Sequence, residues 1–396
     1  MTLPLVLAAP DRVLLLAPHP DDETLAAGGL LQRTIAAGAE VRVLFVTDGE
    51  NNPWAQRATE RRWRIRDADR DRWGERRRSE ALAALGVLGI TPWQVAFLGF
   101  PDQGLQRLLV SGDEDLVQTL TGEIERFRPT FLASPALDDL HPDHSSLAVL
   151  IRLALERMSP AVEPPREGLF VVHDHGPYVA GPEGFRVVLN AEERERKRRA
   201  ILCHASQLRL RRGALLGFAG AEERFEATAA PAEAHPAHVV RQARVRGDAL
   251  HLDLARRGRP GACGPTDLLL TIASEGNGGA GERRTLRARL PRRSGALELF
   301  DPAAGARVAR GEFRRGDGDD LDLETGCGER VALPAALLAG ARQAFVKLER
   351  RLGFFDEAGW RALPCESRHP ATPARTAQAG AGLEVPTPVA RGGSAG

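Results

Sequence analysis

The 396-residue chain holds one tyrosine, two methionines and four cysteines. Cys203, Cys263, Cys327 and Cys365 are scattered, without the paired spacing of a thiolate metal site or a disulfide framework. No run of about 18 apolar residues occurs, and the first ten residues lack a basic segment followed by a long apolar one. Neither an integral membrane segment nor a secretory leader is therefore expected, and a reducing, cytoplasmic compartment is the default. With 54 basic and 53 acidic residues the net charge is +1, so no global field favours nucleic acid or an anionic membrane. Gly-x-Gly-x-x-Gly is missing from the first strand–helix turn, and a phosphate there would meet Asp21-Asp22-Glu23. Nicotinamide binding is not expected on that ground.

What is present is concentrated in two stretches. Val13–Ala17 is an apolar run that reads as a buried strand, Pro18-His19-Pro20-Asp21-Asp22-Glu23 follows it, and Thr24–Ala37 carries apolar residues at helical spacing. Far downstream, Thr130–Ser134 is a second such run, followed by Asp138-Asp139-Leu140-His141-Pro142-Asp143-His144 and a helical pattern from Leu147 to Met158. Open α/β sheets place their chemistry at the carboxyl ends of strands. Imidazoles and carboxylates crowded there call for a compensating cation. Nitrogen and carboxylate donors suit zinc, which leaves a fourth position for water in catalytic sites.

These motifs resemble those of the PIG-L or LmbE-like metal-dependent N-deacetylases, over residues 10–230. Weaker pieces look similar too: Thr47-Asp48-Gly49-Glu50, Arg77 with Glu80, Phe100-Pro101-Asp102, His204-Ala205-Ser206-Gln207 and Glu223-Arg224-Phe225. The resemblance implies a single Zn2+ held by His19, Asp22 and His144, with Asp21 as general base. His141 would stabilise the oxyanion and protonate the leaving amine, Asp143 would orient His141, and Glu23 would support a ligand from behind. The residues alone do not say which of Asp21 and Asp22 binds metal. Asp102, Arg77 and His173 are candidate substrate contacts. The implied substrate is an N-acetylated amino-sugar conjugate of the N-acetylglucosamine type.

The expected fold is a Rossmann-like, mostly parallel sheet with flanking helices over residues 1–226. A linker at 227–237, a smaller all-β domain at 238–365, expected to be a sandwich, and a disordered tail at 366–396 follow. Near-alternation in Val239–Val245, Ala249–Leu254, Leu268–Ala273, Thr285–Leu290, Ala296–Phe300 and Ala344–Leu348 carries the β reading. This region is expected to serve stability, oligomerisation or glycan docking, and a chain ending near Glu226 is expected to fold alone. Between Asn51 and Arg78, Trp54, Trp63 and Trp73 alternate with many arginines, as a wall of the site or as a solvated helix packed by its tryptophans. Rival functions use the same residues, and an amidase of a thiol–sugar conjugate would keep the single metal. A two-metal phosphoesterase would recruit His173-Asp174-His175, and a binding module would keep the fold without catalysis.

Overall fold

The structure is a computed structural model that describes residues 2–174, 183–228, 238–255, 266–274, 282–316, 327–349, 351–352 and 354–365. His175, most of the expected linker and the expected tail lie outside the described residues. The first part contains β1 (Thr2–Pro4), β2 (Arg12–Ala17), α1 (Asp22–Ala36), β3 (Glu40–Thr47), α2 (Pro53–Glu60), α3 (Asp67–Leu88) and β4 (Val95–Phe100). It continues through α4 (Leu105–Ser111), α5 (Asp115–Phe127), β5 (Phe131–Pro135), α6 (Pro142–Glu156), β6 (Arg166–Phe170), β7 (Gly184–Val188), α7 (Ala191–Cys203), α8 (Ala205–Gly217) and β8 (Glu222–Glu226). These strands form one sheet in the order β1-β7-β8-β6-β5-β2-β3-β4. β2 pairs in parallel with both β3 and β5, and only β8 runs against its neighbours. Val13 to Ala17 are wholly buried between helical layers, as the unbroken apolar run requires. From β2 the chain winds one way through β3 and β4, and from β5 the other way through β6. The switch point therefore falls between the carboxyl ends of β2 and β5, where the two motif loops begin.

The second part is a single antiparallel sheet. It comprises β9 (Val240–Arg246), β10 (Ala249–Ala255), β11 (Asp267–Ser274), β12 (Glu282–Arg289), β13 (Gly295–Asp301), β14 (Ala306–Arg315), β15 (Cys327–Pro334) and β16 (Ala341–Glu349). The short β17 (Arg351–Leu352) and β18 (Phe355–Asp356) make a hairpin, and β19 (Arg361–Ala362) closes the order β19-β16-β11-β12-β13-β14-β15-β10-β9. The expected sandwich of two packed sheets is thus replaced by one sheet curled almost into a barrel. Its outer strands approach where Arg361 Nη1 donates to Val240 O at 2.5 Å. Alternation along a strand specifies one apolar face, and it is equally served by a second sheet or by the same sheet turned on itself.

The two parts share a core. Leu269, Phe345 and Trp360 pack in one cluster with Leu105, Leu109, Leu147 and Leu150 from α4 and α6. Polar ties accompany them: Trp360 Nε1 donates to Ser146 Oγ at 3.3 Å, and Gln343 Nε2 donates to Arg152 O at 3.2 Å. This continuity argues against the independence expected of a chain ending at Glu226.

Candidate active site

Both motif loops turn directly into helices. Asp21 is the cap residue of α1 and sits at φ 136°, a region that L-residues rarely adopt. Such backbone strain costs about 1–3 kcal/mol and gathers at functional sites. It lets Asp22 and Glu23 occupy the first turn, where the positive end of the helix favours carboxylates. Downstream, His141 caps α6 and its Nδ1 accepts the Asp143 backbone N–H at 3.1 Å.

Three donor atoms then meet in a nearly equilateral triangle. His19 Nδ1 lies 3.2 Å from His144 Nε2, Asp22 Oδ2 lies 3.3 Å from His19 Nδ1, and it lies 3.2 Å from His144 Nε2. Two ring nitrogens facing each other at that distance share at most one proton, so the arrangement invites a cation at the centre. An ion with tetrahedral ligands at about 2.0–2.1 Å keeps them about 3.3–3.4 Å apart, which is the spacing of this triangle. The donor set therefore fits a metal such as zinc.

The opposite ring atoms are held from behind. His144 Nδ1 meets Asp139 Oδ2 at 3.1 Å, and the same carboxylate oxygen accepts the backbone N–H groups of Val172 and His173. His19 Nε2 meets Asp102 Oδ1 at 3.2 Å and Asp143 Oδ2 at 3.4 Å. Such carboxylate–histidine pairs direct the lone pair of the other nitrogen toward a metal. Burial works against charge on His144, but Asp139 and Asp22 hold its imidazole up to about 10. Asp102, Asp143 and Asp22 likewise keep His19 well above the ordinary histidine range against burial.

The other expected residues separate into those facing the cleft and those behind it. Asp21 and His141 line a cleft of about 240 Å³ together with His19 and Asp22. Burial pushes Asp21 up to about 6, opposed by the Arg77 guanidinium, whose Nη2 stands 3.2 Å from Asp21 Oδ1. Burial and the neighbouring imidazoles push His141 well below the usual range. Asp143 does not orient His141 through its carboxylate, which accepts the Gln103 and Leu105 backbone N–H groups and faces His19. Asp102 lines the cleft, yet its carboxylate is engaged by His19 and the Asn51 N–H. Arg77 is buried and donates to Pro20 O at 2.6 Å and Gly49 O at 3.0 Å. A Cβ on Gly49, at φ +66°, would fall 2.2 Å from Arg77 Nη1, so glycine there makes room for the guanidinium. His173 lines the cleft, its ring centroid 5.0 Å from that of His144. Burial pushes its imidazole down to about 4. Asp174 is exposed.

Several participants carried weak signals or none. Glu23 Oε1 pairs with His204 Nε2 at 3.0 Å and Glu80 Oε2 accepts from Ser206 Oγ at 2.6 Å, so the His-Ala-Ser-Gln stretch braces the first motif. Asp139 was visible beside the second motif without a role. Trp73 is fully buried, whereas Trp54 stands at the cleft mouth, so the tryptophan-rich stretch divides between packing and wall. Phe354 and Phe355 of the β domain also line the cleft. Nothing in the sequence marked them.

The chain is similar to known proteins over its first part. Residues 14–155 match the family model described as PIG-L, GlcNAc-PI de-N-acetylase. A 1D-myo-inositol 2-acetamido-2-deoxy-alpha-D-glucopyranoside deacetylase of Gordonia bronchialis is 30% identical over 245 residues, covering 50% of this chain and 84% of that protein. A protein of the same name from Mycolicibacterium vanbaalenii is 34% identical over 152 residues, covering 34% of this chain and 50% of its own length. Among solved structures, N,N'-diacetylchitobiose deacetylase from Pyrococcus horikoshii aligns at a TM-score of 0.42 and 20% identity, over 55% of this chain and 84% of that one.

Proposed function

The chain belongs to the PIG-L, GlcNAc-PI de-N-acetylase family, and from that premise we propose that it is a metal-dependent hydrolase removing the N-acetyl group from an N-acetylglucosamine-type sugar conjugate. The observation that carries the reading is the triangle of His19 Nδ1, His144 Nε2 and Asp22 Oδ2 beside a cleft lined by Asp21 and His141. These three residues would hold one Zn2+, whose Lewis acidity polarises the amide and brings the pKa of an attacking water toward neutrality.

The protein groups divide the remaining work. Asp21, partly exposed to the cleft and held by Arg77, takes a proton from the attacking water as general base. His141 Nδ1 accepts the Asp143 N–H, which places the ring's single proton on Nε2. From there the neutral imidazole donates to the developing oxyanion, a preorganised electrostatic role. The proton collected by Asp21 is then available to the departing amine. Asp143 and Asp102 position His19, and Asp139 positions His144.

A two-metal phosphoesterase is less well supported. Among the described residues the trios that could hold an ion, His19–His141–His144, Asp22–His144–His173 and His19–Asp102–Asp143, all share His144 or His19 with the triangle, so the donors cluster at one site. Among the described residues no helix is long and apolar enough to cross a membrane.

The test is to incubate zinc-loaded protein with N-acetylated sugar conjugates while assaying free amine and acetate, beside His19→Ala, Asp22→Ala and His144→Ala. Wild type should release both products in equal amounts, and each variant should lose bound metal and turnover together. A variant that keeps stoichiometric zinc and near-normal turnover would remove that residue from the ligand set. Release of phosphate from phosphoesters, without amine from the sugars, would replace the reading.

A further inference from the structure

The hairpin of the β domain enters the catalytic cleft. The Phe354 ring lies 5.0 Å from that of His141, and the Phe355 ring lies 6.0 Å from His141 and 5.0 Å from His173. Their placement is tied to the second motif loop. The Asp356 N–H donates to Leu140 O at 2.9 Å, immediately before His141, and the Trp360 N–H donates to Leu137 O at 2.7 Å. The Asp356 carboxylate pairs with buried Lys347, whose Nζ donates to Gln106 Oε1 at 2.8 Å. A Cβ on Gly359 would fall 2.0 Å from Leu137 O, so the close approach of the two backbones depends on glycine.

Three exposed apolar side chains line the cleft. Trp54 on α2 is 60% exposed, Leu210 on α8 is 53% exposed and Phe354 is 41% exposed, and all three line the same cleft. Single exposed apolar side chains are ordinary, but three from different elements lining one cleft make a surface suited to an apolar ligand. The family match ends at residue 155, so the hairpin is a feature beyond the matched segment.

We propose that Phe354 and Phe355, with Trp54 and Leu210, form a subsite for an apolar or aromatic portion of the sugar conjugate. The β domain thereby selects the conjugate. The inference rests on the deacetylase reading, with the polar corner at His19 and Asp22 taking the N-acetyl group and the rim taking the aglycone.

The test compares octyl and methyl N-acetylglucosaminides on the zinc-loaded full chain. Wild type should favour the octyl glycoside in kcat/KM. Phe354→Ala should lower that octyl-to-methyl ratio about tenfold with metal content unchanged, since ring contact and apolar burial together are worth about one decade. Phe354→Leu should restore most of the ratio, because apolar area carries the effect. Trp93→Ala, removing an 89% exposed aromatic that does not line the cleft, should leave it alone. A wild-type ratio near one, or an unchanged ratio in Phe354→Ala, overturns the subsite while leaving deacetylation intact. If no N-acetyl sugar is turned over, the functional reading fails by itself. Calorimetric binding of octyl glucoside to metal-free protein then decides the subsite: about tenfold weaker binding by Phe354→Ala supports it, and equal binding refutes it.

Discussion

The two sheets handle their ionisable side chains in opposite ways. In the β domain, carboxylates meet guanidiniums on neighbouring strands. Asp267 on β11 faces Arg287 and Arg289 on β12, and Asp253 on β10 lies between Arg244 on β9 and Arg330 on β15. At the carboxyl edge of the α/β sheet, Asp22, Asp102, Asp139 and Asp143 instead crowd His19 and His144, and imidazole stands against imidazole at 3.2 Å. The first pattern neutralises itself and accounts for a fold. The second gathers donors that could hold a metal ion, and that clustering of shifted groups distinguishes a candidate site from a charged surface.

The comparison breaks most visibly if the two regions are separated. Leu269, Phe345 and Trp360 are buried among α4, α5 and α6. Each such side chain contributes about 1.5–3 kcal/mol when fully buried, and whole domains are stable by only about 5–15 kcal/mol. A chain ending at Glu226 should therefore be insoluble, or lack a cooperative thermal transition by circular dichroism. A soluble fragment with a sharp melt would mean that the β domain is an appendage.

What the sequence made legible follows the same division. That the His19 and His144 motifs meet at one edge could be read because each follows an unbroken apolar run and strand ends deliver side chains there, whereas the choice of Asp22 over Asp21 as ligand came from the family resemblance alone. The six β-domain runs that were named fall within a few residues of β9 to β13 and β16, since period-two alternation marks a strand, whereas β14 and β15 were not named. The curl of that sheet was not legible, because alternation defines a face and says nothing of what covers it. Phe354 and Phe355 were not legible either. Two phenylalanines more than 200 residues from the motif loops look like core until tertiary structure brings them beside His141. The carboxylate partner of each histidine was hidden for a related reason. Asp143 adjoins His144 in sequence, yet helix geometry turns its carboxylate toward His19, and Asp139 serves His144 from the loop ahead.

A smaller effect should separate chemistry from metal holding within the α/β edge. Asp21→Asn and His141→Ala remove groups that line the cleft outside the donor triangle. Both should retain zinc by metal analysis while turnover falls, about 10²–10⁴-fold for Asp21→Asn, the usual cost of losing a general base, and about 10²–10³-fold for His141→Ala, the cost of losing one oxyanion donor. Loss of metal from Asp21→Asn would move Asp21 into the ligand set and leave the base unassigned.

The smallest effect sharpens the other side. Burial alone would raise the Asp267 carboxyl, but hydrogen bonds from Arg289 and Arg287 hold it below the ordinary carboxylate range. A carboxylate depressed in the folded state stabilises above its unfolded pKa, and that contribution is lost as pH falls through the folded value. Arg287 is 48% exposed, so solvent screens the pair and the contribution is about 1 kcal/mol or less. Asp267→Asn should therefore lower stability by about that amount at pH 7 and by progressively less as pH falls below about 4, read as the difference between wild-type and variant urea denaturation at each pH. Zinc content and turnover should not change, because this carboxylate serves the β sheet alone. If the difference instead grows toward acid, the guanidinium pairing does not set the Asp267 charge. The β sheet would then no longer stand apart from the α/β strand edge as a surface that neutralises its own charges.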